Sequence, residues 1–247
     1  MINVRNAFRS FGSIGMALVI ASVFLVSVAA GSSGDSRGKP ANDQRVQEPL
    51  NLAILIQDNL VSRVSNELAA TGEFIKSLPS GSQVMVGYIT SGSLQVREPF
   101  TSDLERAAGS LRILISSSSA TSFNPYIEVL EALRKFQPES KNRNVLLLIS
   151  DGLDDSRGFD PSVLNSVDLN RAIEEAKERD VTIFSFYAPS VGLTSRSRLA
   201  ASYGQGSLSR VSHKTGGKAF FQGTDFVTFN PYFRDLTRAL NRVDSAD

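Results

Sequence analysis

Unbroken apolar runs alternate along the chain with stretches in which apolar residues recur every three or four positions. Leu50 to Gln57 (LNLAILIQ), Gln83 to Thr90 (QVMVGYIT), Val145 to Ile149 (VLLLI) and Val181 to Tyr187 (VTIFSFY) are runs of the first kind. They fit strands buried on both faces, as in a parallel sheet covered by helices. Between them, Val61, Val64, Leu68, Ile75 and Leu78 share one helical face. So do Leu104, Ala108, Leu111 and Ile115, then Ile127, Leu130 and Leu133, then Leu169, Ile173 and Ala176. A helix around Leu208 to His213 ends at Gly216-Gly217, Ala219 to Phe221 reads as a short last strand, and Leu236, Leu240 and Val243 mark a final helix.

Turn and cap residues punctuate this pattern. Pro79-Ser80-Gly81 ends the first helix, and Ser91-Gly92 turns the second strand into a short antiparallel edge strand at Leu94 to Arg97. Ser102 with Glu105 reads as a capping box, and Asn124-Pro125 and Asn230-Pro231 each place a cap before a first-turn proline. Ser116 to Ser122 is a small polar loop. The expected fold is α/β: a doubly wound, mostly parallel six-stranded sheet flanked by helices, with one short antiparallel edge strand. Such folds bind ligands beyond the C-terminal ends of the strands, where the strand order reverses.

The N-terminus changes the picture of where this domain works. Arg5 and Arg9 precede the uncharged, mostly apolar run Gly15 to Ala30, which ends in small residues. Residues 1–30 therefore read as a signal peptide, or as a signal anchor if retained. Either way the remainder is expected outside the cytoplasm: secreted, periplasmic or tethered by that helix, its one contact with a membrane. Residues 31–48 read as a flexible linker and 49–244 as the folded domain.

Composition narrows the chemistry. With 26 basic and 25 acidic residues and a net charge of +1, no broad nucleic-acid surface is expected. The absence of cysteine excludes disulfides, thiolate zinc sites and thiol nucleophiles. The one histidine, His213, lies near the end of a polar helix, where it suits the helix C-terminus better than catalysis. No Gly-x-Ser-x-Gly elbow or glycine-rich phosphate loop occurs, so an α/β hydrolase or a phosphate-binding enzyme is disfavoured. A non-catalytic role is expected.

The candidate site lies at the strand ends. Asp58 follows the first strand, Ser62 comes four residues later, Thr121 precedes the Asn124-Pro125 helix start, and Asp151 follows VLLLI. If the strands before Asp58 and Asp151 are neighbours, these side chains converge on one crevice, and their oxygens suit a hard divalent cation. Taken singly, Asp58 also reads as a helix cap and Asp151-Gly152 as a turn.

Asp58-Asn59-Leu60-Val61-Ser62, Thr121 and Asp151-Gly152, in this order, resemble the metal-ion-dependent adhesion site of von Willebrand factor A domains. Lys214-Thr215-Gly216-Gly217-Lys218 resembles that family's approach to its last strand. The resemblance covers Glu48 to Val243 and implies a protein-binding module with a protein ligand. Its metal set would be Asp58, Ser62, Thr121 and Asp151, holding Mg²⁺, Mn²⁺ or Ca²⁺. Leu60 stands where the family has a coordinating serine, so the implied site is weak or lost. A carbonyl of Asn59 or Asn124, or an extra water, would have to replace that ligand. The alternative is a scaffold of the same fold that binds its partner without metal.

Overall fold

A computed structural model describes residues 45–90, 93–114, 124–138, 140–156, 158 and 166–243. The expected leader, the linker up to residue 44, the turn Ser91-Gly92, the Ser116 to Ser122 loop and Thr121 lie outside the described residues.

Four strands coincide with the apolar runs: β1 (Leu50–Gln57), β2 (Gln83–Thr90), β4 (Arg143–Ser150) and β5 (Val181–Tyr187). The remaining strands are β3 (Ser93–Thr101) and β6 (Ala219–Phe220). They form one six-stranded sheet in the order β3-β2-β1-β4-β5-β6. Every pairing is parallel except β2 with β3 at the edge. The edge strand is longer than Leu94 to Arg97 because its pairing continues, through register shifts near Val86, as far as Thr101 opposite Val84.

Among the described residues, six helices cover the sheet: α1 (Arg63–Lys76), α2 (Leu104–Gly109), α3 (Pro125–Leu133), α4 (Val167–Glu178), α5 (Arg198–Lys214) and α6 (Asn230–Val243). Alternate residues of each strand feed opposite cores. Leu52, Ile54, Ile56, Val145, Leu147 and Ile149 join the core that includes residues of α1 and α6. Ala53, Leu55, Leu146 and Leu148 join the one that includes residues of α3, α4 and α5. This two-sided burial is why the strands read as continuous apolar runs.

Several local expectations shift. The α2 cap is Asp103, not Ser102: Asp103 Oδ1 accepts the Arg106 N–H at 2.9 Å, and Asp103's own N–H is held by Thr101 Oγ1 at 3.1 Å. In α3, Asn124 caps as expected, its Oδ1 accepting the Tyr126 N–H at 3.2 Å. The buried face of α3, however, is Tyr126, Val129, Ala132 and Leu133, and Ile127 faces outward. In α6 the proline follows a helical Asn230, because Phe229 already supplies the first carbonyl, to the Phe233 N–H at 2.8 Å. The end of the expected linker is docked: Val46 is buried, and Asn241 bonds the backbone of Arg45 and Gln47.

The buried face of α3 also carries Glu128, whose Oε2 has no hydrogen-bond partner. Burial, reinforced by the charge of Glu131, pushes its carboxyl up to about 7. The folded state then holds a proton that the unfolded chain releases near pH 4.3, so stability falls as pH rises through that window and levels off above about 7. Glu128→Gln is expected to stabilise the protein by about 1–3 kcal/mol at pH 7.5 and to change little at pH 4. Urea unfolding at the two pH values checks this; an equal effect at both would contradict it.

Candidate functional site

Parallel pairing of β1 with β4 sets Ile56 opposite Ile149, so Asp58 and Asp151, two residues on in each strand, leave the sheet side by side. This is the point where the strand order reverses. Gln57, fully buried, ties the two strand ends together. Its Oε1 accepts from Ser150 Oγ at 2.5 Å and from the Asp151 N–H at 3.3 Å, and its Nε2 donates to Asn59 Oδ1 at 2.7 Å.

The two carboxylates are satisfied separately. Asp58 takes a two-pronged bond from Arg112, Nη1 to Oδ1 at 3.0 Å and Nη2 to Oδ2 at 2.9 Å. The pair is largely withdrawn from solvent, with side chains 17% and 22% exposed. The Arg112 guanidinium lies 4.2 Å from the centre of the Tyr88 ring. The Tyr88 hydroxyl accepts the Arg112 N–H at 2.8 Å and donates to the Arg112 carbonyl at 3.2 Å, so the backbone is held as firmly as the side chain. Hydrogen bonding to Asp58 holds Arg112 still further toward its charged form.

Asp151 turns toward the loop between β5 and α5. Its Oδ2 accepts from Thr194 Oγ1 at 3.0 Å and its Oδ1 from the Leu153 N–H at 3.1 Å. Thr194 is itself fixed by Ser190, whose N–H it accepts at 2.8 Å. Burial raises the Asp151 carboxyl above its ordinary range, opposed by the hydrogen bonds it receives. Gly152, at φ 69°, makes the turn and leaves room for the backbone of α5.

Over the crevice, the segment after β1 pairs with the segment after β5. Leu60 bridges antiparallel to Ser190, the Val61 N–H donates to the Pro189 carbonyl at 3.0 Å, and the Val191 N–H donates to the Asn59 carbonyl at 2.9 Å. Leu60, fully buried, packs into the core below. Ser62 is exposed at the start of α1 and makes no capping bond with its side chain. Asn124 is also engaged, its Nδ2 donating to Asp168 Oδ2 at 2.8 Å. Asp154 accepts from Ser156 Oγ and Ser166 Oγ, each at 2.6 Å. His213 is exposed in the last turn of α5. Thr215 does not reach the crevice; its hydroxyl accepts the Ile183 N–H at 3.1 Å and anchors the approach to β6.

As arranged here, the described members of the expected set, Asp58, Ser62 and Asp151, do not fit a divalent cation; Thr121 lies outside the described residues. Both oxygens of Asp58 and both of Asp151 accept from protein donors, Ser62 is exposed, and Leu60 is buried in the core with no side-chain oxygen to offer. Among the described residues no group of three or more His, Asp or Glu side chains is placed to hold a metal. Sequence reading found Asp58, Asp151 and the Leu60 departure but not Arg112, Tyr88, Gln57 or Thr194. The loss of a ligand at Leu60 was the one signal that Asp58 needs another cation, and it does not single out Arg112.

No family model matches the chain, and no curated protein matches it in sequence. Solved structures do share its fold. The crystal structure of the conserved hypothetical protein BatB from Bacteroides thetaiotaomicron is 13% identical, with a TM-score of 0.55, covering 80% of this chain and 100% of that one. An aerotolerance-related membrane protein from Bacteroides fragilis NCTC 9343 is 12% identical, with a TM-score of 0.55, covering 78% of this chain and 99% of that one. The fold is von Willebrand factor A-like, with the mostly parallel six-stranded sheet, antiparallel edge strand and flanking helices that were expected.

Proposed function

We propose that the chain is an exported, non-catalytic protein-binding module whose partner surface is the end of the domain at the C-terminal edges of the parallel strands. One observation carries this. The large hydrophobic side chains exposed among the described residues are Ile113, Ile127, Val167, Leu199, Phe221 and Phe226. All six belong to that end. Ile113 follows Arg112; Ile127, Val167 and Leu199 sit in the first turns of α3, α4 and α5; and Phe221 and Phe226 lie in the connection leaving β6. Apolar exposure gathered at one end of a domain marks an interaction surface, and the matching occupant is a protein with an apolar patch of its own.

The committed hydrogen bonds of Asp58 and Asp151 favour binding over catalysis, since neither is poised as a base or nucleophile. Export rests on the basic start and apolar run of residues 1–30, and the membrane protein of like fold agrees with it.

A photo-crosslinking residue placed at Ile127 or Val167 in cells is expected to give discrete protein adducts, and one at Glu178, at the opposite end of α4, none. Ile127→Asp combined with Val167→Asp is expected to abolish an adduct formed from Leu199. Adducts from Glu178 alone, or none from the six positions, would refute the surface.

A further inference from the structure

We propose that the guanidinium of Arg112 is the resident cation of this site, holding Asp58 in place of a divalent metal ion. The inference does not depend on where the partner binds. Three features support it.

The first is the form of the contact. A parallel two-pronged pairing at 2.9 and 3.0 Å engages both carboxylate oxygens of Asp58 with one positive group. The second is that the arginine is built in. Its guanidinium lies over the Tyr88 ring, 4.2 Å from the centre, and its backbone N–H and carbonyl are both bonded to the Tyr88 hydroxyl. A side chain fixed in this way loses little further freedom on pairing, whereas a loose surface arginine would. The third is the shape of the mouth. Leu60 is fully buried in the core and its backbone bridges to Ser190, so position 60 turns no side-chain oxygen toward the crevice.

Charge follows the same logic. One guanidinium neutralises one carboxylate, and Asp151 has its own donors in Leu153 and Thr194. A divalent ion entering at Asp58 would have to displace Arg112 or sit against its positive charge. Leucine at 60 and arginine at 112 are therefore two halves of one exchange: the leucine removes a ligand, and the arginine replaces the ion. Arginine stays charged across the accessible pH range, so the site keeps its cation in the presence of chelators and in metal-poor surroundings.

Mn²⁺ with the full-length chain is the test. Paramagnetic broadening by Mn²⁺ is expected to leave the amide signals of Asn59, Leu60, Arg112 and Asp151 unselected up to millimolar metal, and EDTA is expected to leave the Arg112 side-chain signals unmoved. Selective, saturable broadening of these signals in the unaltered chain would overturn the proposal, and this reading needs no variant to fold. The double variant Leu60→Ser, Arg112→Ala is expected to gain Mn²⁺ binding at least tenfold over the unaltered chain, by electron paramagnetic resonance titration. A folded double variant with no gain would also overturn it.

Discussion

Gly204→Ala is expected to destabilise the protein by about 3 kcal/mol, while Gly206→Ala, two residues further along the same helix, is expected to stabilise it by about 0.5–1 kcal/mol. Both sit in α5, where alanine is intrinsically the better residue. Their surroundings differ. A Cβ on Gly204 would lie 2.0 Å from the carbonyl oxygen of Asp151, far inside contact distance, whereas one on Gly206 would meet nothing within 4 Å. The obstacle at Gly204 is backbone, so no side-chain rotation relieves it; α5 or the turn after β4 has to move. That turn carries Asp151, so its bonds to Thr194 and Leu153 would be strained as well. Urea unfolding of the two variants beside the unaltered chain measures both effects. Shifts in the same direction would show that helix propensity, not the approach of α5 to Asp151, governs this helix.

The same glycines explain what the sequence concealed. Only Leu208 to His213 is legible as helix in that region, because Gly204 and Gly206 interrupt a helical pattern that in fact begins at Arg198. The helix holds because Ser197 caps it, accepting the Ala200 N–H at 3.3 Å, and because Gly204 lets it approach β4 closely. The strands were legible to within a residue or two where they are central, since burial on both faces writes itself into every position. The α3 stripe was misread: Ile127 is 50% exposed, and Glu128 takes a buried place that hydrophobic periodicity assigns to an apolar residue.

At the crevice, adjacency of β1 and β4 was the condition on which the convergence of Asp58 and Asp151 rested, and the sheet order meets it. What occupies the carboxylates was not. Arg112 lies 54 positions from Asp58, and Thr194 lies 43 positions from Asp151. Both separations are far longer than any one helix or strand, so no local pattern links them. The replacement of an ion by a guanidinium is visible in sequence only as a loss, at Leu60. The gain lies in a segment whose own pattern indicates nothing more than the end of a helix.

Phe186→Ala is expected to cost about 3–5 kcal/mol and to loosen α6 before the rest of the fold. Phe186 is fully buried in β5, opposite Phe220 of β6. Its ring lies 4.9 Å from that of Phe233, 5.4 Å from those of Phe229 and Tyr232, and 5.6 Å from that of Phe220, centre to centre. Phe233 in turn stacks on Phe74 of α1 at 4.5 Å. Removing the Phe186 ring thus takes the shared neighbour from four aromatic side chains and opens a cavity beneath α6, next to a strand of only two residues. Phe186 is the ring through which β5 touches both β6 and α6, so the loss should concentrate there. Hydrogen exchange is expected to speed up in α6 and β6 well before it does in β1 or β4, with the urea midpoint falling in parallel. Phe186→Leu, which restores much of the volume, should cost less than about 1.5 kcal/mol. Uniformly faster exchange across all six strands, or a Leu variant as unstable as the Ala one, would mean that the aromatic cluster is not what fastens the last helix to the sheet.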